Sequence, residues 1–234
     1  MTSRVPPIIV FDVNETLLDI TTLEPLFERV FGDAAVMREW FAQLVLYSQT
    51  LTLSGRYTPF GEIAAGVIRM VGETRNVAVG DDDVAELRRR IGSMPAHPDV
   101  APALTKLRDA GFRLVTLTNS PPSAAPTPLD KAGIAAFFEA SHSVDSVGRF
   151  KPAPETYRLV AEAHGVTTGD LCLVACHVWD TIGAQAAGCH GALVTRPGNA
   201  VLHAPETPRP DIVAADLGAI ADAIIQRFAP KAEV

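Results

Sequence analysis

Short apolar runs rich in β-branched residues alternate along this chain with stretches whose apolar residues recur at helical spacing. The runs are IIVF at 8–11, FRLVTL at 112–117, LCLVA at 171–175 and GALVT at 191–195. A continuous apolar run of this length is typical of a strand that is buried on both faces, and strands that alternate with helices form parallel sheets. The chain is therefore predicted to be an α/β protein with a Rossmann-like parallel sheet and helices on both faces.

The segment between the first and second runs has a different pattern, because it contains helical spacing alone. Its four apolar-periodic stretches are LEPLFERVFG, VMREWFAQLVLYSQTL, FGEIAAGVIRMVG and DDDVAELRRRIG. We predict that residues 20–95 form an all-helical cap. The cap is inserted into an α/β core domain made of residues 1–19 and 96–234.

Charge and hydropathy exclude several classes of protein. The formal net charge is −7, which opposes binding to nucleic acid, because neutralising phosphates requires clustered Lys and Arg. The one basic run, RRR at 88–90, is interpreted as the solvated face of a helix. No apolar segment approaches the roughly 20 residues of a membrane span, and the N-terminal MTSRVPPIIVFDV has too short an apolar run for a signal peptide. We expect neither a nucleic-acid partner nor a membrane partner.

The cysteines give no sign of an oxidising compartment. Cys172, Cys176 and Cys189 are odd in number and contain no CxxC pair, so they predict neither a disulfide framework nor a zinc site. A cytoplasmic location is expected.

Polar residues directly follow the predicted strands. In an open parallel sheet, ligands bind at the carboxyl ends of the strands. Taken alone, each polar residue has an ordinary structural interpretation as a helix cap, a turn residue or a solvated side chain. Their convergence at one edge of the sheet favours a single site instead. The residues are Asp12, Asn14 and Thr16 after the first run, Thr118 and Asn119 after the second, His177, Trp179 and Asp180 after the third, and Lys151 before a Pro-rich helix start.

This set of residues, in this order, resembles the motifs of the haloacid dehalogenase superfamily. FDVNETLLD is similar to its first motif, LTNS to the second, FKPAPETY to the third and CHVWDTIGAQAAG to the fourth. The helical insertion is similar to the first type of cap in that superfamily. Within it, the chain most resembles the type II, L-2-haloacid dehalogenase branch.

Two positions distinguish this branch from the phosphatases of the superfamily. Phosphatases usually carry a second Asp where this chain has Asn14, and a Gly-Asp pair where it has Ala175 and Cys176. A phosphate ester needs a general acid to protonate its leaving oxygen, and Asn14 has no titratable proton. A halide leaving group needs no proton. The sequence therefore favours cleavage of a carbon–halogen bond over cleavage of a phosphorus–oxygen bond.

The resemblance implies a mechanism with two steps. Asp12 attacks C2 of a short 2-haloalkanoic acid, expels halide with inversion and forms an aspartyl ester, which water then hydrolyses to the 2-hydroxy acid. Lys151 keeps Asp12 ionised, Thr16 hydrogen-bonds the carboxylate, and Asp180 orients or deprotonates the hydrolytic water. No cofactor is expected. The predicted substrate-binding residues are Asn14, Thr118, Asn119, Phe41, Phe60, His177 and Trp179.

The chain departs from the branch at the substrate pocket. The branch has an arginine directly after the tryptophan that corresponds to Trp40, and this chain has Phe41. A neutral ring cannot replace a guanidinium in binding an anion. Arg38 lies three positions from Phe41 on the same predicted helix and could substitute only with a different geometry. His177 stands where the branch usually has asparagine, and its imidazole could serve as an acid, a base or a donor.

Two alternatives remain open from the sequence. The first is a Mg²⁺-dependent phosphatase that uses Asp12 on a small phosphate ester, and the second is a protein of the same fold that binds a small acid without turnover. A homodimer through the apolar face of WFAQLVLY is also possible, although packing of that helix on the core explains the pattern equally well. The predicted partner is a small 2-haloacid or a related small acid.

Overall fold

The sheet of this protein has six parallel strands. The computed structural model describes residues 7–229. The first six residues, which belong to the N-terminal stretch predicted not to be a signal peptide, lie outside the described part. Every strand pairs in parallel with its neighbours, in the order β3-β2-β1-β4-β5-β6. The strands are β1 (Ile8–Phe11), β2 (Leu114–Thr118), β3 (Ala140–Ser143), β4 (Leu171–Ala175), β5 (His190–Val194) and β6 (Ile212–Ala214).

The predicted strands are confirmed for β1 and β4, and with small shifts for β2 and β5. β2 begins two residues after the apolar run does, because the backbone N–H of Phe112 still donates to Leu107 in the turn that ends the preceding helix. The prediction missed β3 and β6, which are the two edge strands. Edge strands are only partly covered, so ASHS and IVA need no continuous apolar run.

The strand order reverses at β1. From β1 the chain builds β2 and β3 on one side, then crosses to build β4, β5 and β6 on the other. The carboxyl ends of β1, β2 and β4 therefore border one crevice, which is where open α/β sheets bind ligands.

Helices cover the sheet as predicted. Gly111 and Gly165 lie just past the ends of two of these helices with φ values of 85° and 65°, in the left-handed region that glycine adopts without strain. The helices outside the insertion are α5 (Val100–Asp109), α6 (Pro128–Lys131), α7 (Pro154–Ala163), α8 (Val178–Ala186) and α9 (Leu217–Phe228).

The insertion between β1 and α5 is helical, as the apolar spacing predicts. It contains α1 (Glu24–Phe31), α2 (Val36–Leu53), α3 (Phe60–Arg75) and α4 (Asp81–Ile91). These helices lie within the segment predicted to be the cap, and the division into two domains at residues 19/20 and 95/96 stays a prediction.

Two surface features of the insertion bear on possible partners. The basic run on α4 is solvated, since Arg88 pairs with Glu62 at the surface. Within WFAQLVLY, Trp40 and Leu44 are buried in the core, whereas Leu46 and Tyr47 are 51% and 38% exposed. The homodimer stays a prediction. Among the described residues, no helix combines the length and the apolar character needed to cross a bilayer.

Candidate active site

Asp12 lies directly after β1, and hydrogen bonds fix both of its carboxylate oxygens. Its backbone N–H donates to Val174 on β4 at 3.0 Å, which places the side chain between these two strand ends. Oδ1 lies 2.8 Å from Nζ of Lys151, and Oδ2 accepts a 2.7 Å hydrogen bond from Oγ1 of Thr16. Thr16 is in turn held by the backbone N–H of Cys176 at 2.9 Å. The carboxylate is therefore held in one orientation at the crevice.

Lys151 is the cation of the site and is almost fully buried, at 1% exposure. Its ammonium group donates to Asp12 at 2.8 Å, to Oδ2 of Asp180 at 2.6 Å and to the carbonyl of Leu117 at 3.1 Å, so all three N–H donors are used. Burial alone would lower the pKa of Lys151, but the two carboxylates raise it above its ordinary value. The ammonium therefore stays charged.

The electrostatic effect on Asp12 is the reciprocal one. Burial alone would raise the pKa of Asp12, but the ammonium of Lys151 and the imidazole of His177 hold it well below the ordinary 3.8. An acid in this environment is ionised at any pH at which the protein works, which a carboxylate nucleophile requires.

Asp180 lies in the first turn of α8 and is fully buried. Oδ2 accepts from Lys151, and Oδ1 accepts a 2.6 Å hydrogen bond from the hydroxyl of Tyr157 on α7. Burial raises the pKa of Asp180, against the opposing effect of Lys151. Because both oxygens are engaged, the geometry assigns Asp180 to positioning Lys151. The role in activating water that the sequence suggested stays a prediction.

The residues after β2 form the next part of the crevice. Oδ1 of Asn119 accepts from the backbone N–H of Lys151 at 3.0 Å, so the NH₂ end of its amide is the end available to a substrate. Oγ1 of Thr118 accepts from the backbone of Ser120, whose hydroxyl accepts from Asn14 at 3.3 Å. These bonds hold the predicted binding residues in place.

Three predicted pocket residues form an aromatic stack. The His177 ring lies between Phe41 and Trp179, with ring-centroid distances of 5.3 Å and 5.1 Å. Phe41 thus presents an apolar face at the position of the branch's arginine. Arg38 does not take over that role, because its guanidinium pairs with Glu15 and donates to the carbonyl of Pro197.

His177 also joins Asp12 to a second carboxylate. Its Nε2 is 2.9 Å from Oε2 of Glu15, and its Nδ1 is 3.3 Å from Oδ2 of Asp12. Burial opposes the charged imidazolium, but the sulfur of Cys176 and the carboxylates of Asp12 and Glu15 raise the pKa of His177 well above 6.5. Since burial raises the pKa of the Cys176 thiol and keeps it neutral, the charges that hold the imidazolium are the two carboxylates.

A cavity of about 520 Å³ lies between the helical insertion and the strand ends. Asn14, Thr118, Phe41 and Phe60 line it, as the sequence predicts for substrate-binding residues. Phe60 packs as well, since its ring contacts that of Phe150 at 5.7 Å. Asn119 and Trp179 lie beside Lys151 instead, and His177 lies beside Asp12. The further apolar lining includes Ile20, Leu23, Trp40, Leu44, Ala64, Leu87 and Met94.

The sequence profile of haloacid dehalogenase-like hydrolases matches residues 6–188, which is most of the chain. This chain belongs to that family. Haloacetate dehalogenase H-2 of Moraxella sp. (strain B) is 28% identical over 204 residues, which are 86% of this chain and 90% of that protein. The (S)-2-haloacid dehalogenase of Xanthobacter autotrophicus is 28% identical over 190 residues, 80% of this chain and 74% of that one.

Solved structures share the fold closely. The L-2-haloacid dehalogenase RSc1362 superposes with a TM-score of 0.88 at 26% identity, over 94% of this chain and 99% of that one. The L-2-haloacid dehalogenase of Xanthobacter autotrophicus, solved with chloropropionic acid covalently bound, has a TM-score of 0.84 at 24% identity, over 95% and 99% of the two chains. The α/β fold predicted from the sequence is confirmed.

The donor atoms of this haloacid dehalogenase-like site do not suit Mg²⁺, the ion of the phosphatase alternative. Asp12, Cys176 and His177 place potential ligand atoms within 4.8 Å of one another, but Mg²⁺ prefers oxygen ligands to sulfur and nitrogen. Two further carboxylates lie near Asp12. Lys151 and Tyr157 engage both oxygens of Asp180, and His177, Arg38 and Asn199 engage those of Glu15.

Sequence reasoning missed three contributors to the site. Tyr157 lies in the third motif, six positions after Lys151, in the first turn of the helix that the Pro-rich segment begins. Its place in that motif, close to Lys151, is the signal that could have identified it as a site residue. Glu15 follows the first strand but was given no role. Asn199, which donates to Oε1 of Glu15 at 2.8 Å, comes from the long connection at 197–211, and nothing in its local sequence indicates the contact.

Proposed function

We propose that this chain hydrolyses the carbon–halogen bond of short (S)-2-haloalkanoic acids to give the 2-hydroxy acids, through an ester on Asp12. The observation that carries this proposal is the Asp12–Lys151 pair at 2.8 Å. This pair keeps a buried carboxylate ionised near an apolar cavity. Asn14, which lines that cavity, has no proton to give to a leaving group. Displacement of halide requires that combination and no more.

The first step follows from the held carboxylate. One oxygen of Asp12 attacks C2 of the substrate from the side opposite the halogen, the carbon–halogen bond breaks, and halide leaves with the bonding electron pair. Covalent catalysis of this kind divides one difficult displacement into two easier steps. Lys151 and Thr16 orient the nucleophile, which supplies the proximity that such a displacement needs.

Substrate binding uses the groups around the cavity. The NH₂ group of Asn119, whose Oδ1 accepts from the backbone N–H of Lys151, is the proposed donor to the substrate carboxylate or the departing halide. The apolar cavity lining around Phe41 and Phe60 suits the carbon chain. The names of the relatives, haloacetate dehalogenase and (S)-2-haloacid dehalogenase, support the same substrate class.

The reaction is proposed to need no metal ion, because the ammonium of Lys151 supplies the positive charge between the carboxylates of Asp12 and Asp180. The same donor set opposes the phosphatase alternative, as does the lack of a titratable proton at Asn14. We also place the enzyme in the reducing cytoplasm. Cys172, Cys176 and Cys189 are free and buried, which suits a thiol-reducing compartment.

A halide-release assay tests the proposal. The protein is incubated with (S)-2-chloropropionate, chloroacetate and fluoroacetate, with and without EDTA, and free halide is measured. Halide release that EDTA does not change is expected, and Asp12→Asn should abolish it because an amide is a poor nucleophile.

Two results would contradict this proposal. Release of phosphate from a generic phosphate ester, abolished by EDTA, would identify a phosphatase. Absence of turnover together with saturable protection by the haloacid against thermal unfolding would identify a binding protein.

A further inference from the structure

Hydrolysis of the ester on Asp12 needs a base, and two of the charged groups around Asp12 are already engaged with each other. Asp180 has one oxygen on Lys151 and the other on Tyr157. Lys151 is an ammonium with all three donors used, and it has no lone pair to accept a proton. On another side of Asp12 lies the imidazole of His177, which has one ring nitrogen that Glu15 does not bind.

We propose that His177, oriented by Glu15, is the general base that activates water to hydrolyse the ester on Asp12. His177 is then a catalytic residue and Glu15 a positioning residue. This inference rests on the proposed function, since the ester forms only if Asp12 displaces a leaving group.

The geometry of the imidazole supports this assignment. Glu15 binds Nε2 at 2.9 Å, so the other nitrogen, Nδ1, faces Asp12 at 3.3 Å from Oδ2. Nδ1 is buried and makes no hydrogen bond of good geometry with any described residue. A buried polar atom without a hydrogen-bond partner destabilises the fold unless a ligand or a water molecule forms the missing hydrogen bond. A carboxylate that holds one nitrogen of a histidine leaves the other to act as the base.

Glu15 is itself anchored for this task. Its Oε1 accepts from Asn199 at 2.8 Å and pairs with Arg38 of helix α2, and its backbone oxygen contacts His97 at 3.0 Å. Its φ of 66° lies in the left-handed region, which is costly for a residue that is not glycine. Glu15 is thus held by contacts from three segments, which are the insertion, the 197–211 connection and the segment before α5.

The groups that face His177 explain how its protonation state changes during the reaction. Asp12 and Glu15 are the charged neighbours, Cys176 precedes it as a neutral thiol, and the rings of Phe41 and Trp179 contact the imidazole. In the free enzyme both carboxylates favour the imidazolium. Esterification removes the charge of Asp12, so the imidazolium loses one of the two charges that hold its proton and releases that proton to solvent.

The second step then balances. The water oxygen bonds to Cγ of the Asp12 ester, and a water proton passes to Nδ1 of His177. The tetrahedral intermediate collapses, the bond from Cγ to the product oxygen breaks, and the imidazolium gives its proton to that oxygen to form the 2-hydroxy acid. The Asp12 carboxyl group then gives its proton to Nδ1 of His177, which restores the carboxylate and the imidazolium of the free enzyme.

His177→Gln tests the inference, because glutamine keeps a polar side chain but cannot accept the proton. With (S)-2-chloropropionate, the variant should release a burst of about one halide per enzyme and then stall, which is the kinetic sign of an accumulated covalent intermediate. Steady-state turnover should fall about 10²- to 10⁴-fold. Mass spectrometry should find the substrate, less its halogen, on the peptide that contains Asp12.

Two further variants complete the design. Glu15→Gln should accumulate the same ester to a smaller extent, because the imidazole is then less firmly oriented. It keeps the inference testable if His177→Gln fails to fold. His164→Gln is the matched control, since His164 lies just after α7, where Arg113 contacts its Nδ1, and it should not accumulate ester. In the wild type, the rate of ester hydrolysis should rise with pH to a plateau, and this dependence should disappear in His177→Gln.

The possible failures are distinguishable. If His177→Gln slows halide release itself and no ester accumulates, His177 binds the leaving halide or the substrate carboxylate and the inference is overturned. Unchanged turnover in His177→Gln also overturns it. If the wild-type protein releases no halide from any 2-haloacid, the proposed function itself fails.

Discussion

At position 151 one buried ammonium lies between two carboxylates, 2.8 Å from Asp12 and 2.6 Å from Asp180. The three charges are interdependent, because removing one member of a buried ion pair leaves the other uncompensated in a medium of low dielectric. Lys151 therefore determines both the orientation of the nucleophile and its ionisation.

Lys151→Met should separate the effect of Lys151 on the ionisation of Asp12 from its effect on the orientation of Asp12. The pKa of Asp12 is held below its ordinary 3.8 mainly by Lys151, so in the wild type the carboxylate persists as the pH falls through that value. Without the ammonium, burial raises the pKa of Asp12. The rate of single-turnover halide release should then begin to fall at a higher pH than in the wild type as the solution is made more acidic. The maximal rate should also fall at least about 100-fold, because the nucleophile is no longer held in place.

Lys106→Met is the matched control for that measurement, because Lys106 pairs with Asp222 at the surface and should leave the profile unchanged. A Lys151→Met profile with the wild-type acid limb would show that Lys151 does not govern the ionisation of Asp12.

Among the helices, α8 packs so closely against the segment of Lys151 that one glycine is required. A Cβ at Gly183 would lie 2.8 Å from the carbonyl oxygen of Pro152 and 2.8 Å from the hydroxyl of Tyr157, closer than real Cβ atoms approach such groups. Helix α8 carries Asp180, so this contact sets the distance between Asp180 and its two partners.

Gly183→Ala should therefore act against the usual trend for a helix interior. Alanine normally stabilises a helix by about 0.5–1 kcal/mol relative to glycine, but here overpacking should lower the free energy of unfolding by about 1–3 kcal/mol and slow halide release. Gly66→Ala in α3 is the matched control. Its Cβ would meet no atom within 4 Å, and it should stabilise the protein. Urea unfolding of both variants measures the difference, and equal stabilisation would contradict the packing argument.

The elements that could be predicted from the sequence are those whose own residues carry the pattern. β1 and β4 are buried on both faces and are continuous apolar runs, whereas β3 and β6 lie at the edges and are defined by pairing with a neighbour. The same distinction applies within the site. Asp12 and Lys151 follow from motif order, but the contacts of Glu15 with Arg38 and Asn199 join segments far apart in sequence.

On the scale of the whole molecule, the site is complete only where the helical insertion meets the sheet. Arg38 of α2 reaches Glu15 and the carbonyl of Pro197, and Tyr57, between α2 and α3, donates a 2.7 Å hydrogen bond to Asp145 after β3. These contacts join the insertion to the segments that follow the strands, and an apolar cavity of about 520 Å³ lies between the insertion and the strand ends.

The central claim is that Asp12 itself bonds to the substrate carbon. A single turnover with enzyme in excess over (S)-2-chloropropionate, in water labelled with the heavy isotope of oxygen, tests it directly. The account predicts that the label enters the carboxylate of Asp12, found in its peptide by mass spectrometry, while the 2-hydroxy acid carries an unlabelled oxygen from the enzyme. Label in the product hydroxyl and none in the Asp12 peptide would show that water attacks the substrate carbon directly, and would contradict the account.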